Sequence, residues 1–280
     1  MCLITRLLIS SVALTLVPLG LARAADYDPP IVIEEAPDVV PIEIGSGWYL
    51  RGDIGYSLKT EPKDPFTYRT FDGVSYGANS FDTGSLSKDF SFGVGFGYSF
   101  TDWLRADVTL DRFSASFSGT TSSGSPCTAG SPLGTTCRSD DSSELTAYSV
   151  LLNGYVDLGT YVGFTPYVGA GVGYTYVNWD DLSNSAYCVG GACPSPSLAG
   201  TSTHAGESDW RFTYALMAGV SYDFSNNMKV DLGYRYRNVD GGDMFAFDAA
   251  TAAAGATGVQ GSDAGFSSHE VRVGLRYELW

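Results

Sequence analysis

The chain has 280 residues, with Lys+Arg 16 against Asp+Glu 31 and a formal net charge of −15, a sign that argues against a nucleic-acid partner. Aromatic residues make up 14% and glycines number 34, where about 20 would be average, so a disordered chain is excluded, and glycine does not recur at every third place as collagen needs. Charged residues, at 17%, fall below the usual ~25%, so much of the surface is expected to face something other than water, and His 2 leaves little for histidine-based catalysis or a His-rich metal site.

Residues 1–24 read as a secretory signal peptide: Arg6 near the start, an apolar stretch from Leu7 to Leu21, and the cleavage pattern Ala22-Arg23-Ala24. The stretch is short for a membrane span and is broken by Pro18 and Gly20. Residues 25–45 form an acidic leader in which Pro29, Pro30, Pro37 and Pro41 block helix and sheet alike, expected to be an extended periplasmic segment.

From residue 46 onward the pattern has period two. Trp48, Leu50, Ile54, Tyr56 and Leu58 alternate with Tyr49, Arg51, Asp53, Gly55 and Ser57. Phe90 to Phe100 sets Phe90, Phe92, Val94, Phe96, Tyr98 and Phe100 against serines and glycines. Similar runs begin at Leu104, Tyr148, Val168, Phe212, Met228 and Val271. These make about eight strands, each apolar on one face and polar or small on the other. Three connections are short, at Thr101-Asp102, at Gly159 to Thr165 and at Ser225-Asn226-Asn227; the other four run to roughly 25–30 residues. In lipid only helices and closed barrels satisfy the backbone. The predicted fold is therefore all-β: an eight-stranded antiparallel up-and-down transmembrane β-barrel over residues 46–280, with four long extracellular loops, short periplasmic turns and both termini periplasmic.

The inward phase carries Arg51, Arg105, Arg211, Lys229, Arg235, Arg237, Arg272 and Arg276, and with them Asp53, Asp107, Asp111, Asp157, Asp223, Asp231 and Glu278. Eight strands leave a lumen just wide enough for side chains. Charges there must pair or stay hydrated, so the reading is a salt-bridged plug, with a narrow ion path as the rival.

Cys2 leaves with the signal peptide. Of the other cysteines, Cys127 and Cys137 share the second long loop, and Cys188 and Cys193 the third. Nearest-neighbour disulfides, each inside its own independent loop, are the expectation in an oxidising compartment; the spacing does not fit a zinc site. Asp72-Gly73 is a hairpin-turn signal in the first loop. In the fourth, Met244-Phe245-Ala246-Phe247 and the Ala-rich run Ala249 to Ala256 read as a small helix or loose coil, with an apolar contact patch for a partner as the alternative. Ser267, Ser268, His269 and Glu270 hold the residue types of a nucleophile set, but adjacent residues of a strand face opposite ways, so a rim histidine is preferred. His204 carries no signal.

Gly47-Trp-Tyr-Leu-Arg-Gly-Asp-Ile-Gly-Tyr56, Thr165-Pro-Tyr-Val-Gly-Ala-Gly-Val-Gly-Tyr174 and His269-Glu-Val-Arg-Val-Gly-Leu-Arg-Tyr277 resemble the small outer-membrane β-barrels of alphaproteobacteria, the opacity- and surface-antigen-like porin family related to the OmpA transmembrane domain. Family members commonly end Tyr-x-Phe, whereas this chain has Tyr277-Glu278-Leu279 followed by Trp280. The resemblance implies a surface-exposed barrel with a role in envelope integrity and no catalytic residues, cofactor or metal; some members bind host surfaces or haemin, and others are called porins. The expected function is structural and non-enzymatic, with loops free for contacts. A small-solute channel and loop-mediated adhesin or ligand binding are the alternatives. Expected partners are outer-membrane lipid and lipopolysaccharide, periplasmic chaperones and the barrel-assembly machinery, with the protein itself a monomer.

Overall fold

A computed structural model describes residues 47–279 apart from 64, 129 and 196; the expected signal peptide and leader, and Trp280, lie outside the described residues. In chain order the strands are β1 (Trp48–Pro62), β2 (Thr67–Phe71), β3 (Tyr76–Ser80), β4 (Thr83–Leu86), β5 (Phe90–Thr101), β6 (Leu104–Ser123), β7 (Thr136–Asp157), β8 (Phe164–Trp179), β9 (Leu182–Val189), β10 (Leu198–His204), β11 (Ser208–Asp223), β12 (Met228–Ala246) and β13 (Val259–Glu278). A short helix, α1 (Ala249–Ala253), separates the last two strands. Asp248 caps it, its carboxylate accepting from the Ala250 and Thr251 amides.

Eight of these strands close a ring in the order β1, β5, β6, β7, β8, β11, β12, β13, with β13 paired back to β1 and every neighbour antiparallel. Closure leaves the ring without a free edge, which is what lets a sheet sit in lipid. Both ends of the ring's chain lie beside the short turns: Tyr49 pairs with Glu278, and the Leu279 amide bonds the Trp48 carbonyl.

Around the lower ring the pleat sorts side chains as the sequence alternates. Leu50, Ile54, Phe92, Val94, Val108, Leu152, Val172, Leu216, Leu232 and Val273 stand exposed on the outside, while Arg51, Asp53, Asp107, Asp111, Arg235 and Arg272 are buried inside. The apolar outer run from Trp48 to Leu58 spans about 33 Å along the strand at ~3.3 Å per residue, or about 25 Å when tilted by ~40°, the height of a membrane belt. Rings edge the belt at both ends, with Trp48, Phe100, Tyr222 and Tyr277 near the turns and Tyr56, Tyr148, Tyr174 and Trp210 at the far side, all exposed.

Beyond the belt the long connections are themselves folded. The strands run on, and the apolar phase inverts. In β6 the inward positions Asp107, Thr109 and Asp111 give way to Phe113, Ala115 and Phe117, all buried, while Ser116 and Ser118 on the outside are exposed. In β7, Leu145 and Ala147 point in, and Ser142 and Glu144 point out. The cause is the change of solvent: where lipid ends, apolar side chains have no reason to stay outside, and the lumen becomes the only dry place. β4 continues the sheet beside β6, β9 pairs the Thr136–Ser142 end of β7 in the position β8 occupies lower down, and β2 joins β13 at Gly261 and Ser262. We call this upper part the crown. The Asp72-Gly73 turn closes the β2–β3 hairpin, with Gly73 at φ +96° and the Asp72 carboxylate accepting from the Val74 and Ser75 amides.

Two expectations are corrected here. The second and third loops are not independent, because Cys137 faces Cys188 directly in the β7–β9 ladder. Nor is Met244-Phe245-Ala246-Phe247 an outward contact patch: Met244, Phe245 and Phe247 are buried, and the first two join the crown core of Phe66, Leu86, Phe113, Phe117, Leu145, Val177, Trp179 and Phe266. An apolar run of that size cannot stay in water when a dry interior adjoins it.

Candidate functional site

The lumen is built from layers of charge. At the turn end Lys229 sits 3.3 Å from both Asp223 and Glu278; all three are partly exposed, at the mouth rather than within. Arg105 follows, bonded to Asp157 at 3.1 Å and lying over the Tyr155 ring at 4.1 Å, so the nitrogens without an oxygen partner rest on an aromatic face. Arg276 reaches Asp231, which also takes the Ser221 hydroxyl. In the middle, Arg51 grips Asp53 through Nε and Nη2 and gives Nη1 to Asp107 at 2.9 Å. Tyr49 and Asn153 also donate to Asp107. The top layer joins Asp111, which accepts from Arg235 (2.9 Å) and Arg272 (2.7 Å), to Glu270, which accepts from Arg235 and Arg237. Arg237 also stacks 3.6 Å over Phe113, the first ring of the crown core. Arg211 stands apart from the rest, between Asp209 and Asp263 at the crown end of the lumen.

Glycines make this density possible. A Cβ on Gly93 would lie 2.4 Å from the Asp111 carboxylate and 2.7 Å from Arg272, and one on Gly274 would lie 2.4 Å from Asp53. A lumen cavity among Arg51, Asp53, Tyr155, Tyr167, Asp231 and Arg235 measures about 10 Å³, room for about one water.

Three participants were missed at the sequence level. Glu270 is fully buried in the top layer, and its inward phase was available from Arg272 and Arg276. Asp263 and Asp209, the partners of Arg211, lie in segments read as loop. The serine–histidine–carboxylate set is not assembled, because His269 is on the outer face with the Tyr234 hydroxyl at Nδ1 and Glu61 3.5 Å from Nε2, whereas Glu270 faces the lumen. In the crown, Cys127 is bonded to Cys137 and Cys188 to Cys193.

Beside the apolar core the crown holds a second, half-open space of about 240 Å³, bordered by Tyr68, Phe81, Phe245, Asp141, Asn184 and His204. Asp141 accepts from Ser139 Oγ at 2.7 Å and Asn184 Nδ2 at 2.6 Å. Burial pushes its carboxyl above the usual carboxylate range, against those two hydrogen bonds and the nearby His204. His204 Nε2 lies 3.1 Å from Ser202 Oγ, and its Nδ1 is buried with no partner. Nothing in the sequence joined these residues, since β7, β9 and β10 bring them together only through the crown pairing.

Comparison with known proteins fits this geometry. The chain is 39% identical over 274 residues to an uncharacterized protein of Brucella suis biovar 1, an alignment covering 92% of this chain and 93% of that one. It is 25% identical over 238 residues to a Rickettsia felis protein whose name marks it as a candidate adhesin, covering 85% and 90%. Among solved structures it is similar to Neisserial surface protein A (TM-score 0.40, 18% identity, 84% of this chain and 98% of that one) and to OprG of Pseudomonas aeruginosa (TM-score 0.43, 16% identity, 84% and 96%). The family model described as "Outer membrane protein beta-barrel domain" matches residues 43–278. The closed ring, its apolar belt and this match over most of its length place the chain in the outer membrane protein β-barrel family, and so in the outer membrane.

Proposed function

We propose that this protein is a non-enzymatic, structural barrel of the outer membrane whose working surface is the crown, held outside the cell while both termini and the short turns face the periplasm. The observation that carries the reading is the contrast between the two ends of the molecule. The lumen is filled by paired charges and then by the apolar crown core, which suits a rigid support better than a path for solutes. The crown, by contrast, is an ordered, disulfide-braced β-structure with an exposed outer face of serines, threonines and acids. Rigid, protease-resistant presentation of a surface is what a contact role needs. The Rickettsia relative named as a candidate adhesin supports the contact part of this reading.

The test separates the two parts of the role. In a strain lacking the protein, a chain with the β2–β3 and β9–β10 hairpins replaced by short turns should restore resistance to detergent as the full chain does. It should not restore attachment of the cells to host-cell monolayers. Attachment undiminished by the trimming would move the function away from the crown.

A further inference from the structure

Seven carboxylates are buried among the described residues: Asp53, Asp107, Asp111, Asp141, Asp231, Asp263 and Glu270. Six of them have an arginine nitrogen within 4 Å. The exception is Asp141, which has only neutral donors, and it is the one that borders the crown cavity. A carboxylate taken out of water without a counter-charge is costly. Beside the other six buried carboxylates among the described residues the chain itself supplies the cation.

Farther along the same β7–β9–β10 wall, beside Ser202, stands a second unanswered group. His204 is 7% exposed, and its Nδ1 has no hydrogen-bond partner although Nε2 is engaged by Ser202. If Nε2 carries the proton toward Ser202, Nδ1 presents a lone pair. The remaining walls include three rings, Tyr68, Phe81 and Phe245. From these groups we propose that the crown cavity binds a small organic cation, an alkyl- or arylammonium ion, with Asp141 as its counter-ion.

The parts assign roles. The ammonium takes the place that arginine holds beside the other buried carboxylates, donating to Asp141. The carbon stem lies among the rings, where a cation over an aromatic face gains further. The volume, about 240 Å³, lies below the ~300–1,000 Å³ of drug-sized pockets, so the occupant is small. Asp82 and Asp181, exposed on neighbouring segments, and the chain's net charge of −15 favour approach of a cation. A neutral sugar could use Asn184, Gln260 and the rings, but it would leave the lone carboxylate unanswered.

This goes beyond the surface-contact reading and does not depend on it, because it is measured on purified protein. The folded chain in detergent micelles is titrated by calorimetry with benzylammonium, with neutral benzyl alcohol of the same shape, and with methyl glucoside. Benzylammonium should bind about thirty-fold or more tightly than benzyl alcohol, as the loss of one partner of a desolvated charge pair implies. Asp141→Asn should abolish that preference, and Asp140→Asn, on the outer face beside Arg138, should keep it. The proposal is overturned by equal binding of benzyl alcohol, by preference for the glucoside, by undiminished binding to Asp141→Asn, or by no binding at all. The comparison of charged with neutral ligand uses the unaltered chain, so it decides the matter even if Asp141→Asn does not fold.

Discussion

Asp111→Ala is expected to destabilise the barrel by about 3–5 kcal/mol, the cost of breaking a buried ion pair from one side. Asp111 is fully buried, and its two oxygens accept from Arg272 Nη2 at 2.7 Å and Arg235 Nη1 at 2.9 Å. Alanine removes the charge that both guanidiniums share. Arg235 keeps Glu270, but Arg272 keeps only Asp53 at 3.7 Å, and both guanidiniums are buried. Urea unfolding in detergent, followed by the mobility difference between boiled and unboiled protein on gels, measures the effect. A loss below about 1 kcal/mol, the value of exposed pairs, would mean that the lumen is open to water.

Val172→Arg should cost about 2–4 kcal/mol by the same assay, the penalty for arginine on the lipid face near mid-membrane. Val172 is 52% exposed on the belt, paired with Leu152 and Tyr214 in the neighbouring strands. Its neighbour tests the opposite face. A Cβ on Gly171 would come within 2.1 Å of Asn153 Oδ1 in the lumen, so Gly171→Ala should act by crowding that side chain rather than by meeting lipid. If Val172→Arg folds as the parent chain does, β8 does not present this face to lipid.

The belt was legible because two solvents act on it at once. Where lipid lies outside and charge lies inside, every second residue announces its face, as from Phe90 to Phe100. The ring of eight strands, the short turns and the charged lumen follow from that alternation. The crown was less legible because its alternation runs the other way. Phe113, Ala115 and Phe117 continue the inward phase of Asp107 and Asp111, but in the sequence they read as a break in the apolar pattern. β9 and β10, Leu182–Val189 and Leu198–His204, are mostly small and polar, since their outer face meets water and they bury little. Glu270 was overlooked because it adjoins His269 and invited a catalytic reading, although its spacing from Arg272 already put it in the lumen. The meeting of Asp141 with His204 follows from pairing between distant segments, which no local pattern encodes.

A closed lumen beneath a working crown makes this protein a support rather than a channel. The most direct test is the current through the purified, folded barrel in a planar lipid bilayer. With paired charges and the Phe113–Phe117–Phe245 core across the lumen, no stable ohmic steps should rise above the bare-membrane baseline. Sustained, reproducible unit conductances from the intact chain would contradict it, and would make this protein a channel.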